Sequence, residues 1–117
     1  MDEKLKQDTV KLKDVYPRKF KVFTNNFYLV KSAVRYYTVK KNMSFTANKI
    51  SENFPLSIPA AGSSLSILNE LDIVKVRTES SSPNRYLPKE VDMNRLEKVE
   101  KLLRENYEID DFKGQDT

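Results

Sequence analysis

The chain has 117 residues, 38% of them hydrophobic and 32% charged, with a net charge of +4, which is enough for one compact core and too little for a second. It contains no cysteine and no histidine, so thiol nucleophiles, disulfides, Cys/His zinc sites and imidazole acid–base chemistry are excluded, and its two glycines leave no room for a Gly-rich phosphate loop. A non-enzyme without metal or cofactor is expected.

Charge is divided unevenly. Residues 1–91 hold 16 Lys/Arg against 9 Asp/Glu, a balance of +7, whereas residues 92–117 hold 5 against 8, a balance of −3. A polyanion, above all nucleic acid, is the natural partner of such a body. No apolar run approaches the roughly 18 residues of a membrane span, and MDEKLKQDTVKLKD lacks the apolar centre of a signal peptide. A cytoplasmic protein without a membrane partner is expected.

In chain order, residues 1–14 alternate charges without a clear apolar stripe and read as a frayed helix or a disordered arm. VYPRKFKVFTNN carries too many apolar residues for a free tail. It reads as a briefly extended packing strap, or as a basic arm in which Arg18, Lys19 and Lys21 reach a phosphate backbone or minor groove. The first strong helix runs from Asn26 to about Lys41, with Phe27, Val30, Val34 and Tyr37 on one face and Asn25 or Asn26 as its cap. The tyrosines Tyr28, Tyr36 and Tyr37 read as packing, with a base-stacking platform as the alternative.

Ser44 or Thr46 can cap a second, short helix from Ala47 to Phe54, which Pro55 ends. Ser57 can cap a third, with Pro59 in its first turn and Ala61, Leu65, Leu68 and Leu71 on its inner face. Its outward face then holds Pro59, Ala60, Gly62, Ser63, Ser66 and Ile67. After Asp72, the β-branched residues of IVKVR predict a strand, and the polar stretch TESSSPNR followed by RYLP predicts a hairpin return. Asp92 can cap a last helix with Met93, Leu96, Val99 and Leu103 on one side, and residues 110–117 read as an acidic tail.

The run MSFTANKISENFPLSIPAAGSSLSILNELDIVKVRTESSSPNRYLP resembles the second helix, recognition helix and wing of the winged helix-turn-helix DNA-binding regulators. Asp72 stands where that family typically has glycine, and Asn84, Arg85, Tyr86 and Leu87 resemble its return strand. The resemblance implies a mainly α fold with a small β-hairpin (α+β). Its winged helix-turn-helix domain would span residues 25–89, with an arm or strap at 1–24 and an additional C-terminal helix at 90–109.

Its function would be sequence-selective binding of double-stranded DNA as a transcriptional regulator. The implied contacts are Asn48 and Lys49, then the hydroxyls of Ser57, Ser63, Ser64 and Ser66, then Lys75, Arg77, Asn84 and Arg85 of the wing. Met93, Leu96, Val99 and Leu103 would pair two copies into a homodimer reading two half-sites. The third helix presents no Lys or Arg outward, however, so arginine-to-guanine readout from it is unavailable. The alternative is a protein-interaction module that meets a protein partner through that same face.

Overall fold

The computed structural model describes residues 2–77, 84–107 and 109. Among them are six α-helices: α1 (Glu3–Val15), α2 (Pro17–Asn25), α3 (Phe27–Arg35), α4 (Ala47–Asn53), α5 (Ile58–Glu70) and α6 (Met93–Asn106). A π-helical turn, Tyr36–Lys40, extends α3, and a 3-10 turn, Pro88–Glu90, precedes α6.

The N-terminal segment is helical and belongs to the core. Asp2 caps α1 by accepting a hydrogen bond from the Leu5 N–H at 3.1 Å, and Leu5, Thr9 and Leu12, spaced by 4 and 3, are its buried face. Thr9 fits in that stripe because its hydroxyl donates to the Leu5 carbonyl at 2.7 Å, which satisfies its polar atom without water. Pro17 then opens α2, where its missing N–H costs nothing. The expected extended strap is therefore a helix. Its Phe20 and Phe23 continue into Phe27 of α3, with the Phe23 and Phe27 rings edge-to-face at 5.5 Å.

Local signals place α4 and α5. Thr46 accepts from the Lys49 N–H at 3.1 Å and Ser57 from the Ala60 N–H at 3.1 Å, each satisfying an otherwise orphaned donor of the first turn. Between them Pro55 holds Phe54 extended, at φ −133° and ψ 150°, which stops α4. The Tyr37 hydroxyl donates to the Lys49 carbonyl at 3.0 Å and accepts from the Asn53 side chain at 2.7 Å, fixing α4 on the end of α3. Helix α5 lies at the centre, packed against α2, α3 and α4.

The expected β-hairpin is corrected by the structure. No β-strand occurs among the described residues, and the described chain is all-α, so the winged architecture does not hold. Only single bridges form, Phe45 with Tyr86 and Val76 with Tyr86. The reason lies in how α5 ends. The Asp72 N–H donates to the Asn69 carbonyl at 3.1 Å and the Ile73 N–H to the Leu68 carbonyl at 2.9 Å, the paired bonds of a Schellman cap, with Asp72 in the left-handed region at φ 61°. Ile73 and Val74 are then both fully buried in succession, whereas a strand would send them to opposite faces. Tertiary burial overrides their β propensity. On the return side, Pro88 bends the chain into the 3-10 turn two residues after Tyr86. The tip of the expected hairpin, residues 78–83, lies outside the described residues, as does the acidic tail at 110–117.

Asp72 performs a glycine's task. It is exposed, left-handed, and places a carboxylate at the negative end of the α5 dipole. Asp72→Gly is expected to raise the unfolding free energy by about 1 kcal/mol, measured by urea denaturation. A loss of stability would show that the Asp72 side chain contributes a contact of its own.

Helix α6 closes the core. Asp92 caps it through the Arg95 N–H at 2.9 Å, and Arg95 Nε donates to the Leu71 carbonyl at 2.6 Å, joining its start to the end of α5. Leu96, Val99 and Leu103 are each 0% exposed, and the Tyr107 ring beyond them meets Phe20 edge-to-face at 5.3 Å. The expected dimerisation stripe is thus spent within one chain, and Met93, at its start, is half-buried.

Lys31 of α3 pairs with Glu97 at 3.2 Å and with Glu100, while Arg104 Nε donates to the Tyr28 hydroxyl at 2.8 Å. Burial would raise the Glu100 carboxyl, but hydrogen bonds from Lys31 and Tyr28 and the charges of Lys31 and Arg104 hold it below its ordinary value. Lys31 is held above its own, its carboxylate partners outweighing desolvation. These polar links fix α6 on α3 in one register.

Candidate nucleic-acid interface

Helix α5 has one face left after its neighbours have packed. Ala61, Ser64, Leu65, Ile67 and Leu68 are buried, and the side chains between them form a strip along the helix: Ile58 and Pro59 exposed, then Gly62, Ser63, Ser66 and Asn69 half-buried, ending at exposed Glu70. Their spacing of 3 and 4 is that of a single face.

Of the serines expected to contact DNA, Ser63 and Ser66 lie on this strip and Ser57 at its start, where its hydroxyl already caps the helix. Ser64 does not belong to it. It is 0% exposed and its Oγ has no hydrogen-bond partner among the described residues, so it is a core residue. Ile67, expected to face outward, is also 0% exposed, because α2 and α4 flank α5 and the buried arc is wider than the leucine stripe suggests.

Gly62 sits where α4 approaches. A Cβ built on it would meet the Ala47 Cβ at 4.0 Å, an ordinary contact, so packing does not demand glycine there. Beside Ala47, Asn48 is exposed and Lys49 half-buried; the Lys49 backbone serves the Thr46 cap and the Tyr37 hydroxyl, which leaves its ammonium for other uses.

On the far side Lys19, expected on an extended strap or a basic arm, stands instead on a helix. Lys19 of α2 donates to the Ser66 hydroxyl at 3.3 Å and lies over the Tyr16 ring at 5.2 Å, so a cation borders a helix face that holds none of its own. The helical spacing of Phe20, Phe23 and Phe27 is the signal that could have revealed α2, and with it the position of Lys19.

The remaining expected contacts divide. Arg77 and Arg85 are brought side by side by a hydrogen bond from the Arg77 N–H to the Arg85 carbonyl at 2.9 Å, and both side chains are exposed. Beneath them Tyr37, Phe45 and Tyr86 stack at ring distances of 5.6 and 5.7 Å. Burial raises the Tyr86 phenol, against a hydrogen bond from the Asn84 side chain that lowers it. Asn84 is thus engaged locally, and its residue is otherwise exposed.

Lys75 points to different surroundings. It borders a polar groove of mixed charge, where Asp2, Asp72, Glu90 and Asp92 stand among Lys4, Lys89 and Arg95. The tyrosines form no stacking platform: Tyr37 is buried, Tyr36 packs on Phe54 at 5.7 Å, and Tyr28 holds Arg104.

Among the described residues no group of three potential ligands could hold a metal ion, and no helix is long and apolar enough to cross a membrane. Comparison with known protein families, characterised proteins and solved structures finds no match to this chain.

Proposed function

We propose that the protein binds double-stranded DNA as a transcriptional regulator, presenting the exposed strip of α5 to a groove. The observation that carries this reading is the α4–α5 pair itself: two helices with side-chain caps joined by a proline-bounded turn, the second leaving Gly62, Ser63 and Ser66 half-exposed beside basic side chains. The major groove of B-form DNA admits one α-helix, and serine hydroxyls can donate to or accept from base edges and phosphates alike. With no Lys or Arg on the strip, selectivity comes from hydroxyl and water-mediated contacts and from DNA shape, while the neighbouring cations supply affinity. Since the α6 stripe is internal, one chain presents one such face.

Fluorescence anisotropy with labelled duplexes across a salt series tests this. Binding is expected to weaken steeply with salt, and Arg77→Ala or Arg85→Ala should each flatten the log–log slope by about 1. Ser63→Ala with Ser66→Ala should instead reduce the preference among duplexes selected from a random pool. Failure to bind any duplex at low salt would sink the reading.

A further inference from the structure

Val39, Lys40, Lys41, Asn42 and Met43 are all exposed, on the π-helical turn that extends α3 and just beyond it. The lysines have local reasons to be there: cations suit the negative end of a helix dipole, and Lys41 lies over the Tyr36 ring at 5.8 Å. Val39 and Met43 have none. They are 58% and 39% exposed, and apolar side chains among cations, methionine above all, are the composition of contact surfaces. The exposed Lys89 stands nearby, on the 3-10 turn that adjoins the π-turn.

Charge at this corner is one-sided. Between Asp14 and Glu52 the chain has eight Lys/Arg and no acidic residue. Among the described residues Lys40, Lys41 and Lys89 form no ion pair. The chain also carries a segment of complementary chemistry. Five of its six phenylalanines pack in or against the core. The sixth, Phe112, follows Asp110 and Asp111, outside the described residues. An aromatic anchor behind two carboxylates complements two apolar side chains flanked by lysines.

The course of α3 and α6 separates the two surfaces. Lys31 pairs with Glu97 and Glu100, whereas Tyr28, earlier on α3, meets Arg104, later on α6. The helices are therefore antiparallel, so the chain leaves α6 beside the start of α3, and Val39 lies roughly 16 Å away at the other end. Docking within one chain would mean doubling back past Glu97 and Glu100, which repel aspartate. A second copy meets the corner without that reversal.

We propose that residues 110–112 of one copy dock on the Val39–Met43 corner of the next, with Phe112 against the apolar pair and the two aspartates among the lysines. Because the two surfaces lie at opposite ends of the molecule, the contact is head-to-tail and adds copies in a row instead of closing a two-fold pair. It goes beyond duplex binding and does not depend on it. Its rim is ionic, so about 0.5 M salt, with a Debye length of about 4 Å, disperses the row, and unfolding measured there reports single chains.

Sedimentation velocity of the full chain without DNA, at low salt and over about a hundredfold range of concentration, tests this. The weight-average mass is expected to rise with concentration. Lys40→Glu with Lys41→Glu, Asp110→Lys with Asp111→Lys, and Phe112→Ser should each hold it at the mass of one chain, while circular dichroism checks that each variant stays folded. Mixing the two charge-reversed chains should restore the rise, since each then meets opposite charge. A wild-type mass that stays at one chain overturns the proposal, as does a rise that survives these substitutions or a mixture that fails to restore it.

Discussion

Ile67→Asp is expected to unfold the protein at neutral pH. The Ile67 side chain is 0% exposed, on the side of α5 enclosed by its neighbours. An ionised carboxylate there has neither water nor a cation, so it must bear a desolvation cost of several kcal/mol or take up a proton, and the apolar contacts of isoleucine are lost as well. Domains of this size are stable by about 5–15 kcal/mol, so one such substitution removes most or all of the margin. Circular dichroism should show loss of the cooperative thermal transition. Ser66→Asp, on the exposed strip of the same helix, should retain that transition within about 1 kcal/mol while disrupting duplex binding through like charge. A native-like melt for Ile67→Asp would place that residue at the surface and reverse the assignment of the α5 faces.

The contrast bears on the two readings of the third helix. An interaction module meeting protein through that face would need an apolar centre, and Ile67 was the residue expected to provide it. With Ile67 in the core, the middle of the strip is glycine and hydroxyl, and the exposed apolar side chains of α5, Ile58 and Pro59, are confined to its first turn. Hydroxyls flanked by cations suit a hydrated polyanion better than they suit a hydrophobic partner surface.

What could be read from residues alone follows from how local each determinant is. The bounds of α4 and α5 were legible because Thr46, Pro55, Ser57 and Pro59 act within a turn of where they stand. Helix α1 was obscured because its stripe runs through Thr9, polar in composition but satisfied by its own helix backbone. Helix α2 was obscured because no side chain caps it and its cations interrupt the apolar spacing of Phe20 and Phe23, leaving Pro17 as the one local sign of its start. Ile73 and Val74 spell a strand by propensity; only the three-dimensional course of the chain reveals that both are needed as plugs beneath the cap of α5. Ser64 and Ile67 were both expected at the surface and both lie in the core, for a related reason. One leucine stripe is visible in the sequence, but the number of helices that will lean on α5 is not, and three do.

Leu96→Ala is expected to lower the unfolding free energy by about 2–5 kcal/mol, by the same amount in dilute and in concentrated protein. The 3 and 4 spacing of Leu96, Val99 and Leu103 suits a coiled-coil seam as well as a core-facing helix, and nothing in the spacing separates them. Geometry does. Lys31 and Tyr28 of α3 hold Glu97, Glu100 and Arg104 across the helix pair, Arg95 bonds the end of α5, and Phe20 of α2 meets Tyr107. These contacts turn the stripe inward, and all three of its residues are 0% exposed. A seam between copies would be stabilised by mass action, so its unfolding midpoint would rise with protein concentration. For an internal helix the midpoint is independent of concentration, in the wild type and in Leu96→Ala alike. Urea titrations at protein concentrations about a hundredfold apart distinguish the two: a midpoint that rises with concentration in the wild type, and loses that dependence in the variant, would return α6 to the role of a dimer contact.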